Sequence, residues 1–286
     1  MVDSDDTLLR KPIIIIGAPR SGTTMLTRIF GQHPGLALLI EPRLTWRHGN
    51  HGKSDMLQPQ DARPEVCRYI RRQFARTVRT KGGQRLVEKH PSNSLRMGFV
   101  DRIFPDCKFI HTIRDGRDAV LGMRDMWQNK SRGLRPDQVR HRIREVRLRQ
   151  VPYYAKEFIH RLLPRRAARA NLWGPRIPGI EHMRRELDIL DICCLQWRMC
   201  VELACQYGRN LTPDRYMEYR IEEFTPAVLE RIIKFCELDH CPQMMEFFRA
   251  DFDPEKPGAR SRAADPADLD HIQRWIEPTR RWLRYE

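Results

Sequence analysis

No run in this sequence approaches the roughly 18 consecutive apolar residues that a membrane-spanning helix requires. The N-terminal stretch MVDSDDTLLRKP is acidic and lacks the apolar core of a secretory leader. A chain complete as it stands is therefore expected in the cytoplasm; one that had lost an N-terminal anchor would belong to the Golgi lumen. Eight cysteines are present but no Cys-x-x-Cys pair, and four of them (Cys193, Cys194, Cys200 and Cys205) fall in one expected helix. That spacing excludes the common zinc frameworks and favours reduced, buried thiols. Negative charge is in short supply, with 37 Asp plus Glu against 52 Lys plus Arg and a formal net charge of +15. Such a balance favours anionic partners. Aromatics make up 8% of the chain, and the most basic stretch, Arg161 to Arg176, carries only Trp173. Base stacking is therefore poorly supported and nucleic acid is not the expected partner.

A further absence is local. The segment Ile13 to Leu26, IIIIGAPRSGTTML, has the outline of a phosphate-binding loop: a strand of four isoleucines, glycines at 17 and 22, and then a helix-forming pattern. The usual pattern G-x-x-x-x-G-K-[ST] places a lysine before the final hydroxyl residue. Here Thr23 stands in that place, and the nearest cation is Arg20. The loop still offers backbone N–H groups at a helix N-terminus and the hydroxyls of Ser21, Thr23 and Thr24. No acidic residue stands in an obvious metal-binding place after a later strand, so no metal is demanded.

Along the chain, strands are expected at 12–16, 36–40, 86–87, 107–113 and 215–220. Helices are expected at 22–32, 64–79, 92–104, from 116 onward, 183–207, 228–235 and 269–283. Residues 43–60 and 253–267 read as loops. Strands alternating with helices argue for an α/β fold with a central parallel sheet flanked by helices. The whole chain, 1–286, reads as one domain with a basic helical cap inserted at 128–182. In such sheets ligands sit at the carboxyl ends of the strands. The 17–24 loop, Glu41, Lys89 and Arg114 each fall just after an expected strand, so all four should meet on one rim.

The loop PRSGTT and the later segment FPDCKFIHTIRDGRDAVLGM, in this order and spacing, resemble the sulfotransferases that use 3′-phosphoadenosine 5′-phosphosulfate. The nearest branch in character is that of the tyrosylprotein and the bacterial glycan or lipid enzymes. The resemblance covers residues 12–127 and, more weakly, 183–286. It implies a P-loop NTPase-like sulfotransferase fold and transfer of a sulfuryl group to an acceptor hydroxyl on a glycan, lipid, small molecule or protein tyrosine, with an acidic acceptor suited to the basic cap. It implies no metal. Ala18, Pro19, Arg20, Ser21, Gly22, Thr23 and Thr24 would bind the 5′-phosphosulfate, and Arg114 the 3′-phosphate. Arg260 and Ser261 would close over the cofactor from the 253–267 loop. Glu41 would be the general base, with His90 as the alternative. Lys89 and Arg20 would stabilise the charge that develops. The family places a serine eight residues after the 3′-phosphate arginine; this chain has Gly122. Arg117, Arg124 or the arginines of the 253–267 loop are left to make up that contact. Two other readings stand beside this one: a P-loop kinase, and a non-catalytic nucleotide-binding protein of the same fold.

Overall fold

The computed structural model describes residues 7–131 and 172–285. Within them, Ile13–Ile16 (β1) lies at the centre of a five-stranded parallel sheet. The other strands are Leu36–Ile40 (β2), Arg85–Lys89 (β3), Lys108–Ile113 (β4) and Tyr216–Arg220 (β5), in the order β2-β3-β1-β4-β5. Each isoleucine of β1 is fully buried. Because successive side chains of a strand point to opposite faces, these four serve two cores. Ile14 and Ile16 pack with Trp46, Phe74, Phe99 and Phe109. Ile13 and Ile15 pack with Leu26, Phe30, Val87 and Leu229.

The helices follow in chain order: Thr23–Phe30 (α1), Arg43–Trp46 (α2), Pro64–Lys81 (α3), Met97–Ile103 (α4) and Gly116–Ser131 (α5). After the undescribed stretch come Ile180–Glu186 (α6), Ile189–Gly208 (α7), Pro226–Phe235 (α8), Pro242–Asp251 (α9), Ala259–Arg262 (α10) and Pro266–Trp282 (α11). A third apolar cluster joins α5, α7 and α11 through Val120, Met123, Trp197, Val201, Ile272 and Ile276. None of the described helices is long and apolar enough to cross a membrane. All eight cysteines are free thiols and all but Cys67 are buried.

Several sequence expectations need correction. The single helix expected over 183–207 is two helices, broken where Leu187 is extended and Asp188 begins a capping box with Asp191. A reciprocal cap satisfies the first amides of a new helix better than continuation would. The helix expected over 92–104 opens as a 3-10 segment, Pro91–Leu95, and restarts as α4 after Arg96 leaves helical geometry. Residues 43–60 hold the short helix α2, whose Trp46 is buried. The 253–267 loop holds α10, and α9 was not foreseen. β3 extends over five residues, so Lys89 is its last. Of the cap expected at 128–182, residues 132–171 lie outside the described residues. Its far end is tied down: Gln196 donates to the carbonyls of Trp173 and Pro175, both at 2.9 Å.

Candidate active site

Because every strand is parallel, the carboxyl ends all open on one rim, and each expected site segment leaves from it. The loop after β1 turns away tightly. The Gly17 amide donates to Ser94 Oγ at 3.0 Å, and a Cβ at Gly17 would come within 2.5 Å of the Thr112 carbonyl oxygen. Gly22 has φ 94°, and a side chain there would strike Ile221 at 2.7 Å. Glycine at these two positions lets the backbone press against Thr112 of β4 and against Ile221, just after β5, and start α1 at Thr23. The opening amides of a helix have no acceptor within it, so they face the rim. Ala18, Pro19, Ser21 and Thr23 are buried, whereas Arg20 and Thr24 are exposed. The Ser21 hydroxyl is buried and has no hydrogen-bond partner among the described residues.

At the end of β4, Arg114 pairs with Asp118 one turn into α5. It donates to the carbonyls of Arg20 and Lys256, each at 3.0 Å, while its Nε is buried without a partner among the described residues. Trp197 on α7 donates to the Arg114 carbonyl at 3.2 Å and fixes the turn. Asp118 is fully buried, and its Oδ1 accepts the amides of Arg260 at 2.8 Å and Ser261 at 3.2 Å. The structure thus brings Arg260 and Ser261 to the Arg114 side of the rim. The Arg260 guanidinium pairs with Asp125, and the Ser261 hydroxyl donates to the Gly258 carbonyl.

Arg20 has a left-handed backbone, φ 69°. Burial first, then the charges of Arg260 and Arg114, push its guanidinium down, against the opposing pull of Asp125 and Asp118. Arg20 thus lies close to the charged groups at the end of β4. Arg117 and Arg124 are engaged elsewhere, with Asp115 at 2.7 Å and with Asp268.

At the other end of the rim, Glu41 and Lys89 meet. The Glu41 amide donates to the Lys89 carbonyl at 2.8 Å, and Lys89 Nζ lies 2.9 Å from Glu41 Oε1. Arg43 takes the second carboxylate oxygen at 3.0 Å. Glu41 is left-handed at φ 51°, which turns it away from the line of β2. Burial would raise its carboxyl, but Lys89 and Arg43 outweigh burial and hold it below the usual range. His90 is committed otherwise. Its Nδ1 accepts the Ser92 amide at 3.0 Å, capping the 3-10 segment. Burial, then Arg96, Arg43 and Lys89, keep it neutral well below its ordinary value. That arrangement suits a structural cap better than the alternative base.

Sequence reasoning missed what lies behind this pair. Glu88 is fully buried and accepts from Trp46 Nε1 and Asn93 Nδ2, each at 2.8 Å. Burial pushes its carboxyl up to about 8, against Trp46, Arg96 and Lys89. Asp55 accepts from the Ser92 hydroxyl at 2.8 Å and the Arg176 amide at 2.9 Å, linking the loop after α2 to the far end of the cap. The signal for Glu88 was its place directly after the apolar pair Leu86–Val87, where a strand carries it into the buried sheet. Also missed was a cleft of about 370 Å³ beside Arg114, lined by Asp115, Arg117, Glu222, Gly258, Ser261 and Tyr285. In it, burial raises the Glu222 carboxyl, which accepts from the Asp115 amide and the Tyr285 hydroxyl, both at 2.9 Å. On the lower part of the sheet, His111, Cys205 and Glu218 come together, with the Tyr216 hydroxyl 2.8 Å from His111 and 2.7 Å from Glu218.

Comparison with known proteins places this geometry. The family model described as the sulfotransferase family matches residues 12–172. The protein-tyrosine sulfotransferase of Drosophila melanogaster is 34% identical over 122 residues, covering 38% of this chain and 24% of that protein. Protein-tyrosine sulfotransferase 1 of Homo sapiens is 30% identical over 125 residues, covering 39% of this chain and 34% of that protein. The matches thus span well under half the length of these relatives. Among solved structures, the sulfotransferase domain of the Synechococcus PCC 7002 olefin synthase superposes with a TM-score of 0.52 at 16% identity, over 93% of this chain and 94% of that one. At that identity the likeness establishes the fold.

Proposed function

The chain belongs to the sulfotransferase family, and from that premise we propose that it moves a sulfuryl group from 3′-phosphoadenosine 5′-phosphosulfate to an acceptor hydroxyl. The observation that carries this reading is the arrangement of the rim. An anion-binding loop at β1 lies between a lysine–carboxylate pair at β2 and β3 and a buried arginine at β4. The donor fits the groups present. The Ser21 hydroxyl and Arg114 Nε are buried donors without partners among the described residues, and a nucleotide anionic at both its 3′ and 5′ ends would engage both. What the donor supplies when bound is a sulfuryl group on a phosphate leaving group.

The rest falls to the protein. The loop amides and α1 hold the 5′ side through N–H groups and the helix dipole. Arg114 binds the 3′-phosphate through its unpartnered Nε, in a charge-assisted contact. Glu41, ionised across neutral pH, takes the proton of the acceptor hydroxyl. Lys89 neutralises Glu41 beforehand. Once Glu41 is protonated, the ammonium loses its counter-charge and is free to stabilise the charge building on the leaving phosphate. The acceptor is hydroxyl-bearing; the curated relatives are named for protein tyrosine, and the same rim chemistry serves a glycan, lipid or small-molecule hydroxyl.

Thermal melting tests the donor. The 3′-phosphoadenosine 5′-phosphate product should raise the melting point more than 5′-AMP or Mg-ATP at equal concentration, because only a ligand bound by the folded state does so. Stabilisation by Mg-ATP alone would overturn the reading in favour of a kinase.

A further inference from the structure

The Arg114 side of the site departs from the family pattern at Gly122, and the structure shows what fills the space. A Cβ on Gly122 would lie 3.4 Å from Cβ, Cγ and Nε of Arg20, so the Arg20 side chain already rests on the face of α5 where a serine would stand. The left-handed backbone at Arg20 turns the side chain toward α5. The Arg20 carbonyl meanwhile accepts from Arg114, which locks the two arginines to each other. The surrounding carboxylates are spoken for: Asp118 holds Arg114 and the amides of Arg260 and Ser261, and Asp125 holds Arg260. Arg20 lies near both Arg114 and Arg260, whose charges disfavour its own, with Asp125 and Asp118 opposing them. Such an arrangement is stable in company with a further anion.

We propose that Arg20, seated in the space left by Gly122, takes the place of the missing serine and selects the 3′-phosphate of the nucleotide. The inference rests on the proposed donor and reassigns Arg20 from the sulfuryl group to the opposite end of that molecule. A serine hydroxyl offers one neutral hydrogen bond, whereas a guanidinium adds charge and two parallel N–H groups. Residues 20 and 122 are then direct neighbours, because a Cβ at 122 would meet the Arg20 side chain at ordinary contact distance.

Titration calorimetry with 3′-phosphoadenosine 5′-phosphate and with 5′-AMP reads the 3′-phosphate separately from the rest. The wild type should prefer the 3′-phosphorylated nucleotide. Arg20→Ala should reduce that preference about tenfold, the scale of one charge-assisted contact, with 5′-AMP affinity nearly unchanged. Arg20→Lys should keep part of the preference. Arg20→Ala combined with Gly122→Ser should recover part of it, because the hydroxyl then has both room and a task. Melting of each ligand-free variant confirms the fold. A preference that stays within twofold of wild type in Arg20→Ala would overturn the inference and leave the donor reading intact. No preference in the wild type would overturn the donor reading itself.

Discussion

Lys89 and Glu41 stand 48 positions apart in the chain, yet their side chains meet at 2.9 Å because β2 and β3 are paired with Ile40 opposite Lys89. The backbone seals the same junction, with the Glu41 amide on the Lys89 carbonyl. On the proposed reading this pair is base and electrostatic stabiliser together. Glu41→Gln should therefore lower turnover by about 10² to 10⁴, the range for losing a general base. Nucleotide affinity by calorimetry should stay close to wild type. A variant that turns over at the wild-type rate on every accepted substrate would remove Glu41 from the mechanism.

In the proposed mechanism, where Glu41 is the base, Arg43 sets where the acid limb of the rate falls. Glu41 must be ionised to act, and Lys89 and Arg43 hold its carboxyl below the usual range despite burial. The rate should thus hold as pH falls through the ordinary carboxylate region near about 4.3 and decline below it. Arg43→Ala removes one of the two opposing charges. The acid limb should move to higher pH, read from a kcat/KM profile on wild type and variant; an unmoved limb would show that another group titrates there.

His90 is a test of stability and not of chemistry. Its folded value lies far below its ordinary one, because burial and then Arg96, Arg43 and Lys89 oppose the charged ring. The unfolded chain then binds the extra proton, so the stabilisation is complete above about pH 6.5 and is lost as pH falls below it. His111, lowered to about 4 chiefly by burial, adds to the same slope. His90→Asn keeps an acceptor for the Ser92 amide and removes one titrating ring. Urea denaturation from pH 7 to 5 should show a shallower loss of stability than wild type, with turnover at pH 7 retained.

Gly22 tests the loop. At φ 94°, with Ile221 2.7 Å from any Cβ, an alanine is both strained and crowded. Gly22→Ala should cost about 1–3 kcal/mol in chemical denaturation and weaken nucleotide binding, because the start of α1 shifts. Trimming Ile221 to alanine in the same chain should restore part of the binding, though not the strain.

Much of the rim was legible because it is local. A buried isoleucine run, a turn with glycines and a following helix occupy consecutive residues, and the ends of β2, β3 and β4 mark Glu41, Lys89 and Arg114 directly. Groups that depend on tertiary partners were not legible. Nothing in the sequence near Asp118 foretells that it will hold the amides of Arg260 and Ser261, 142 and 143 positions away. The contact of Arg20 with α5 was not legible for a similar reason, since it depends on how the loop packs on Gly122. The break before α7 could have been read from Asp188 and Asp191, because a capping pair inside an apolar pattern marks a new start.

The strand order gives the site the character of a ruler. With β1 central, Lys89 on β3 and Arg114 on β4 are separated by two strand spacings, roughly 10 Å measured across the sheet. That length is built into the backbone and does not depend on the loops around it. On the proposed reading, loops at the β2 edge can change to suit a new acceptor while the gauge for the donor stays the same.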